Sequence, residues 1–256
     1  MLDMIRKIWK TGTVTEDDLF KSISDKYKGI IEIDEKKCNS CGKCTLICPT
    51  QAIEINDNVM IDYKKCLYCG YCVDYCSEKA LSQTNKIYNV VEQEDEFYYK
   101  ILQYKIKKVL GGSLHIRHVD TGSCNACDFE MTMLSNAFYD LSRWGISFVA
   151  SPRHADLLMI TGGVTKNLLS ALRDTYEATP NPKIIMAVGT CALSGGIIGE
   201  NYANIGSVEK ILPIDVMIPG CPPRPQALIK GILLSLIKYE EKIKRGVTLE
   251  PRIAEI

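Results

Sequence analysis

The sequence predicts an α/β chain in which a small cysteine-rich α+β unit precedes a larger domain built on a parallel sheet. Eight cysteines form two runs of equal spacing between residues 38 and 76, and an internal repeat surrounds them. From residue 113 onward, short apolar runs alternate with stretches of helical periodicity. Strands that alternate with helices are typical of a parallel sheet covered on both faces.

The composition of the 256-residue chain is ordinary for a globular protein, with 46% hydrophobic and 24% charged residues. A formal net charge of zero gives no indication of a nucleic-acid partner. The start, MLDMIRKIWK, does not resemble a signal peptide, and the apolar stretch ALIKGILLSLIKY is too short to span a bilayer. Twelve cysteines in an unsecreted chain favour metal ligands or redox centres over disulfides.

Residues 1–29 are predicted to form an N-terminal helical extension. Its helix places apolar side chains on one face with cations beside them: Leu2, Ile5, Ile8 and Trp9, then Arg6, Lys7 and Lys10. We favour a helix packed against the protein over a helix that docks against a membrane partner.

Residues 30–86 contain the repeat, in which IEIDEKKCNSCGKCTLICPTQAIEI aligns with MIDYKKCLYCGYCVDYCSEKALSQ at an offset of 28. The runs AIEIN and VMIDY alternate in polarity and predict strands, with turn residues between them. Residues 87–112 are predicted to be a connecting helix, since acids precede lysines there and Gly111 and Gly112 end it.

Residues 113–256 are predicted to form the sheet domain. The expected strands are SLHIRHVD, ISFVAS, DLLMITGG, KIIMAVGT and IDVMIPG, and the expected helices are DFEMTMLSNAFYDLS, NLLSALRDTYEA and RPQALIKGILLSLIKYEEKIKR. In open sheets of this kind, ligands bind beyond the carboxyl ends of the strands.

Each cysteine run follows the pattern C-x2-C-x2-C-x3-C, in which three cysteines bind one [4Fe-4S] cluster and the fourth binds the other cluster. The expected ligands are Cys38, Cys41, Cys44 and Cys76 for the first cluster, and Cys66, Cys69, Cys72 and Cys48 for the second. Zinc is the alternative, but zinc sites usually use two separated C-x2-C pairs. Residues 30–86 thus resemble the bacterial two-cluster ferredoxins, with Ser77 where the first run has Pro49.

The remaining cysteines follow predicted strands, in SCNACDFE, GTCALSGG and PGCPPRP. They are Cys124, Cys127, Cys191 and Cys221. Because the strand ends of a parallel sheet meet at one edge, we expect a third all-cysteine site there, with glycines allowing close approach. The alternative is that some of them are buried core cysteines.

These motifs, together with SPRHADLLMITGGVT, resemble the small subunit of [NiFe]-hydrogenases of the energy-converting, formate hydrogenlyase-like type, and also the related subunit of respiratory complex I. The resemblance covers roughly residues 113–245. It implies a flavodoxin-like domain with one [4Fe-4S] cluster near a large partner subunit, and it implies that Cys124, Cys127, Cys191 and Cys221 are the ligands.

The spacing of the first motif distinguishes the two relatives. Complex I subunits have adjacent cysteines there, whereas two residues separate Cys124 from Cys127, as in hydrogenases. The hydrogenase pattern has a glutamate directly after the second cysteine. Here Asp128 stands at that position and Glu130 two residues later. We therefore expect proton transfer at Glu130, and at Asp128 as the weaker candidate.

The expected function is that of an electron-transfer subunit with three [4Fe-4S] clusters, belonging to an oxidoreductase whose catalytic centre lies in a hydrogenase-type large subunit. The expected setting is anaerobic and cytoplasmic, peripheral on the membrane through further subunits, with soluble ferredoxin or formate dehydrogenase as electron donor and no nucleic acid. The alternatives are a subunit of a complex I-like quinone or ferredoxin oxidoreductase and a free-standing ferredoxin-like carrier. A nickel site is not expected in this chain, because all twelve cysteines are assigned.

Overall fold

The computed structural model describes residues 2–12, 15, 24, 26–56, 58–87 and 98–245. Helix α1 spans Leu2–Thr11 and has no buried residue. Most of the rest of the predicted extension 1–29 lies outside the described residues, as do 88–97 and 246–256. Within the described part of the chain, no helix is long and apolar enough to cross a membrane.

The cysteine-rich unit contains two antiparallel strand pairs and two short helices. Its elements are β1 (Ile31–Ile33), α2 (Lys43–Ile47), β2 (Ile53–Ile55), β3 (Val59–Ile61), α3 (Tyr71–Asp74) and β4 (Leu81–Gln83). Strand β1 pairs with β4, and β2 pairs with β3. Ile31, Ile53 and Leu81 form a small core together with the buried Cys66 and Cys72, so the strands support the cysteines directly.

The second unit alternates strands and helices, as the sequence predicts. Its elements are α4 (Tyr98–Leu110), β5 (Leu114–Asp120), α5 (Ala126–Met133), β6 (Ile146–Phe148), β7 (Leu157–Thr161), β8 (Val164–Thr165), α6 (Leu169–Ala178), β9 (Ile184–Val188), α7 (Thr190–Ser194), β10 (Asn204–Gly206), β11 (Val216–Ile218) and α8 (Pro225–Arg245). Short 3-10 helices occupy Leu141–Trp144, Pro152–His154 and Val208–Lys210.

Five of these strands form one fully parallel sheet in the order β6-β5-β7-β9-β11. Numbered along the chain, this order is 2-1-3-4-5, the doubly wound arrangement of flavodoxin-like domains. The predicted fold class is therefore confirmed. Strands β8 and β10 form a separate antiparallel pair that the sequence did not predict, because each is only two or three residues long.

Two apolar cores, one on each face of the sheet, explain why the sequences of β7 and β9 are nearly continuous apolar runs. Leu157 and Met159 of β7 lie in the core that contains α8, whereas Leu158 and Ile160 lie in the core that contains Leu172 of α6. Alternate side chains of one strand point to opposite faces, so a strand covered on both faces has few polar positions.

Helix α4 lies within the predicted connecting segment 87–112 and packs on the sheet domain. Leu102 and Ile106 are each 1% exposed and share a core with Leu114. Lys105 Nζ lies 3.2 Å from a carboxylate oxygen of Glu240 on α8. The helix thus covers one face of the sheet, while the domain boundaries drawn from the sequence remain predictions.

Candidate metal centres

The first group of cysteines, called set 1, comprises Cys38, Cys41, Cys44 and Cys76. All four line one cavity, together with Gly42, Val59 and Leu81. Three of them come from the first run and one from the second, which is the crossed arrangement that the motif predicts. Cys41 is exposed, whereas the other three are partly buried.

The second group, called set 2, comprises Cys48, Cys66, Cys69 and Cys72, which line a separate cavity. Cys66 and Cys72 are buried. Helix α2 contains Cys44 of set 1 and is followed directly by Cys48 of set 2. Helix α3 contains Cys72 of set 2 and ends two residues before Cys76 of set 1. Two short helices in contact with each other therefore join the two sets.

The backbone conformation follows the internal repeat of the sequence. Positive φ angles recur 28 residues apart, at Ser40 and Tyr68 and again at Gly42 and Gly70. The two glycines directly precede helices α2 and α3. A second pair of positions donates backbone N–H groups to sulfur, over 3.2 Å from Ala52 to Cys48 Sγ and 3.4 Å from Ala80 to Cys76 Sγ. Such hydrogen bonds stabilise negative charge on a ligating sulfur.

The third group, called set 3, comprises Cys124, Cys127, Cys191 and Cys221, at the carboxyl ends of the strands. Cys124 follows β5 and Cys127 lies in the first turn of α5, while Cys191 lies in α7 after β9 and Cys221 follows β11. The charges of the other set 3 cysteines contribute to raising the pKa values of Cys127, Cys191 and Cys221. Every pair of the four thiols interacts in this way, so the four lie near one another. Cys124 and Cys221 are exposed, which leaves one side of set 3 open to solvent.

Two glycines allow the backbone to approach the sulfurs of set 3. A Cβ atom on Gly189 would lie 2.5 Å from Cys127 Sγ, and one on Gly196 would lie 2.8 Å from Cys191 Sγ. Both residues also have positive φ angles, +86° and +59°, which disfavour other side chains. The glycines of GTCALSGG therefore shape the site.

Burial alters the acid–base chemistry of the thiols. It raises the pKa of Cys66 to about 11 and that of Cys72 to about 12, and neighbouring cysteines of set 2 contribute to both increases. The pKa values of Cys127, Cys191 and Cys221 are also raised, chiefly by burial. Since metal ligation requires the thiolate, a positively charged metal has to offset the burial of these sulfurs.

Sets 2 and 3 lie next to each other across the boundary between the two units. The buried hydroxyl of Thr190 donates a hydrogen bond of 2.9 Å to the carbonyl oxygen of Cys66, and it lies 3.2 Å from the carbonyl oxygen of Gly220. Cys69 also contributes to raising the pKa of Cys221. Sequence analysis did not identify Thr190, because its partner lies 124 residues away.

Asp128 lies in a hydrogen-bond network inside the sheet domain. Thr161 donates its hydroxyl to Asp128 Oδ1 over 2.7 Å, Ser123 donates a further hydrogen bond, and His118 Nε2 lies 3.0 Å from Oδ1. Burial lowers the pKa of His118, although Asp128 opposes the decrease. The network joins β5, β7 and α5 beside set 3, which indicates a structural role for Asp128. Nothing in the local sequence around His118 indicates this contact.

Glu130 is half-buried on α5 and has a different environment. Burial raises the pKa of its carboxyl group, and the nearby Arg224 opposes the increase. The guanidinium of Arg224 lies 4.5 Å from the ring centre of Tyr27, a residue that precedes the cysteine-rich unit. The environment of Glu130 thus favours a bound proton. The roles of Glu130 and Asp128 in proton transfer remain predictions.

Comparisons with known proteins agree with this architecture. Residues 124–235 match the family model of the NADH ubiquinone oxidoreductase 20 Kd subunit, and residues 30–88 match a 4Fe-4S dicluster domain. The probable membrane-bound hydrogenase subunit mbhJ of Pyrococcus furiosus is 43% identical over 143 residues, which are 56% of this chain and 86% of that protein.

Other relatives come from different complexes. Formate hydrogenlyase subunit 7 of Escherichia coli is 39% identical, over 56% of each chain. A subunit of the NADH-quinone oxidoreductase of Citrifermentans bemidjiense is 46% identical over 46% of this chain and 66% of that protein. Among solved structures, a chain of the membrane-bound sulfane sulfur reductase, an archaeal respiratory membrane complex, is 39% identical and aligns with a TM-score of 0.45, over 57% of this chain and 77% of that chain.

A flavodoxin-like sheet with four cysteines at its carboxyl edge, preceded by a dicluster repeat, defines an iron–sulfur protein of electron transfer. The chain belongs to the family of the NADH ubiquinone oxidoreductase 20 Kd subunit, with a 4Fe-4S dicluster domain ahead of it. This confirms the resemblance predicted from the motifs. It also confirms the prediction of an electron-transfer subunit of a hydrogenase-type or complex I-like oxidoreductase.

Replacement of Thr190 by valine tests the contact between sets 2 and 3. Thr190→Val should lower the free energy of unfolding by about 1–3 kcal/mol, because it removes the donor to a buried carbonyl of Cys66. Gly220 still receives the backbone N–H of residue 190. Denaturant unfolding measures the effect. The control is Thr175→Val, whose hydroxyl bonds only within its own helix, and an equal loss in both variants would contradict the proposed contact.

Paired substitutions on α5 separate proton transfer from structural support. We expect Glu130→Gln to lower proton-coupled turnover of the assembled oxidoreductase at unchanged iron content, because an amide cannot exchange the proton. Asp128→Asn should instead lower the free energy of unfolding by about 1–3 kcal/mol. Ser123, Thr161 and His118 would then face an amide group in place of the carboxylate. Turnover assays and thermal unfolding of both variants give the measurements. Normal turnover with reduced stability in Glu130→Gln would assign that residue to helix support instead.

Proposed function

We propose that the chain holds three [4Fe-4S] clusters, one in each cysteine set, and relays electrons between a donor and a catalytic partner. The observation that carries this proposal is the division of all twelve cysteines into three neighbouring sets of four. When bound, each cluster supplies reversible one-electron transfer.

The residues around each set fit such a group. The donors are thiols alone, as cubane clusters require, and sets 1 and 2 each line their own cavity. At set 3, Gly189 and Gly196 keep clear the space that a Cβ atom would fill beside the sulfurs. Four thiolates also suit zinc, so metal analysis has to separate the two possibilities.

The protein shields the three cysteine sets from water to different degrees. Set 2 has two buried cysteines and lies against the sheet domain, so it is the set most protected from water. Set 1 exposes Cys41, and set 3 exposes Cys124 and Cys221. The order of the sets, 1 then 2 then 3, therefore puts one exposed site at each end and suits contacts with two different partners.

For set 3 we propose a hydrogenase-type large subunit as the partner. Large apolar side chains next to set 3 are exposed, namely Phe129 at 62%, Ile197 at 66% and Ile198 at 60%. Exposed apolar side chains near one site favour an interface over a free-standing carrier. The two-residue spacing between Cys124 and Cys127 favours the hydrogenase type over a complex I-like quinone or ferredoxin oxidoreductase, which is the second candidate.

At the other end, we propose that set 1 accepts electrons from a soluble ferredoxin or a formate dehydrogenase. We also propose that further subunits attach the chain to the cytoplasmic face of a membrane. The support for this attachment is that the related hydrogenase subunit of Pyrococcus furiosus is described as membrane-bound.

Metal and sulfide analysis tests the number and ligation of the clusters. Anaerobically prepared chain should contain about twelve irons and twelve acid-labile sulfides, four of each per cluster. Cys76→Ser should perturb the electron paramagnetic resonance signal of the set 1 cluster and spare the signal of set 2, because Cys76 lies with Cys38, Cys41 and Cys44. Ser77→Ala, next to the same cysteine, is the control.

Two results would contradict this assignment. Eight irons with zinc in the sheet domain would remove the third cluster. Loss of the set 2 signal alone in Cys76→Ser would show that each run of cysteines ligates its own cluster.

Oxygen sensitivity tests the partner. In the isolated chain, iron at set 3 should be lost to oxygen faster than iron at the other two sets, and co-expression with a hydrogenase-type large subunit should reverse this order. Ile197→Glu combined with Ile198→Glu should abolish the protection, because the charges would lie in the interface. The matched control is Met60→Glu combined with Leu46→Glu, at two apolar side chains exposed on the cysteine-rich unit. Equal stability of all three clusters in the isolated chain would favour a free-standing carrier.

A further inference from the structure

Helix α1 presents an apolar surface that no described part of the chain covers. None of its ten residues is buried. Trp9 is 88% exposed and Leu2 is 81% exposed, and Met4, Ile5 and Ile8 are exposed as well. The expectation that this helix packs against the protein does not hold for the described residues. Five exposed apolar side chains on one short helix indicate a docking surface.

The side chains of α1 are completely segregated around the helix. At 100° per residue, the five apolar side chains fall within an arc of about 160°, and the five polar ones occupy the remainder. The apolar arc contains Leu2, Met4, Ile5, Ile8 and Trp9, and the polar arc contains Asp3, Arg6, Lys7, Lys10 and Thr11. No polar residue interrupts the apolar arc, which is the pattern of a helix lying at an apolar–aqueous boundary.

The positions of the charges identify what lies beyond that boundary. Three cations and one carboxylate give the helix an excess of positive charge. Arg6 and Lys7 lie toward opposite edges of the apolar arc. From there, their long side chains can place the charged groups beside anionic groups at the apolar–aqueous boundary. Asp3, the one acid, lies opposite the centre of the apolar arc and so points away from the boundary. This arrangement matches a layer of anionic headgroups over an apolar interior.

Trp9 supports the same assignment. Its ring lies near the edge of the apolar arc, on the side of Arg6, and tryptophan is enriched at the level of the headgroups in membrane interfaces.

We propose that α1 lies flat on an anionic lipid bilayer, with its apolar half at the boundary between headgroups and acyl chains. A helix of ten residues binds reversibly, and a second attachment supplied by the assembled complex would strengthen its binding. This inference concerns direct contact with lipid. It depends neither on the number of clusters nor on the identity of the catalytic partner.

Co-flotation of the full chain with vesicles tests the proposal. The chain should float with vesicles of phosphatidylcholine mixed with phosphatidylglycerol and remain unbound with phosphatidylcholine alone. Ile5→Glu combined with Ile8→Glu should abolish flotation, and Arg6→Gln or Lys7→Gln should each weaken binding about fivefold, the contribution of one cation near an anionic surface. Because α1 has no buried residue, all of these variants should keep the iron content and thermal unfolding of the parent chain.

The matched control is Leu46→Glu combined with Met60→Glu, which adds the same two charges at apolar side chains that are 90% and 53% exposed on the cysteine-rich unit. It should float like the parent chain. Phosphatidylcholine and phosphatidylglycerol with brominated acyl chains give a second readout, because they should quench Trp9 and leave the buried Trp144 unaffected. Trp9→Phe then identifies the quenched signal.

Three outcomes would overturn the proposal. The chain could fail to bind anionic vesicles, it could bind vesicles with and without anionic lipid equally, or it could lose binding in the Leu46→Glu/Met60→Glu control as fully as in the α1 variants. If Trp9 becomes protected only when partner subunits are added without lipid, the helix docks in a protein groove instead.

Discussion

Set 2 confines four cysteine side chains to one cavity, and two of them, Cys66 and Cys72, are buried. A buried thiolate without a compensating charge is strongly unfavourable, and the raised pKa values of both thiols express that cost. Cysteines can ligate in such a place only when several converge on a shared positive centre. The need for four sulfurs to meet determines the rest of the architecture, from the repeated helices to the glycines at the strand ends.

The two units satisfy this requirement by different means. In the cysteine-rich unit, positive φ angles before α2 and α3 place successive cysteines of one short segment around a common cavity, and backbone N–H groups turn toward the sulfurs. In the sheet domain the cysteines are far apart in sequence, and the parallel sheet gathers them because its strands all end at one edge. There the glycines remove the Cβ atoms that would otherwise occupy the site.

How much of the structure the sequence predicts depends on how far apart in the chain the interacting residues lie. The five strands of the main sheet and helix α8 were predicted well, because short apolar runs mark the strands locally and a long helix has clear periodicity. The spacing of the eight clustered cysteines is local and predicts the crossed sets directly. By contrast, the contact of Thr190 with Cys66 and that of His118 with Asp128 join distant segments, and nothing at either residue marks its partner. Helix α7 was missed because five residues are too few to show periodicity.

Fusion of the two units in one chain has a physical consequence for electron transfer. In separate proteins, the approach of set 2 to set 3 would depend on an encounter at the prevailing concentration, whereas a covalent connection makes it intramolecular. The Thr190 hydrogen bond and the packing of Tyr27 against Arg224 then hold the units in one arrangement. Because set 2 is the buried member of the series, its relation to set 3 does not depend on what contacts the exposed Cys41. The donor proposed at set 1 can therefore differ between complexes while the arrangement next to the proposed catalytic partner stays the same.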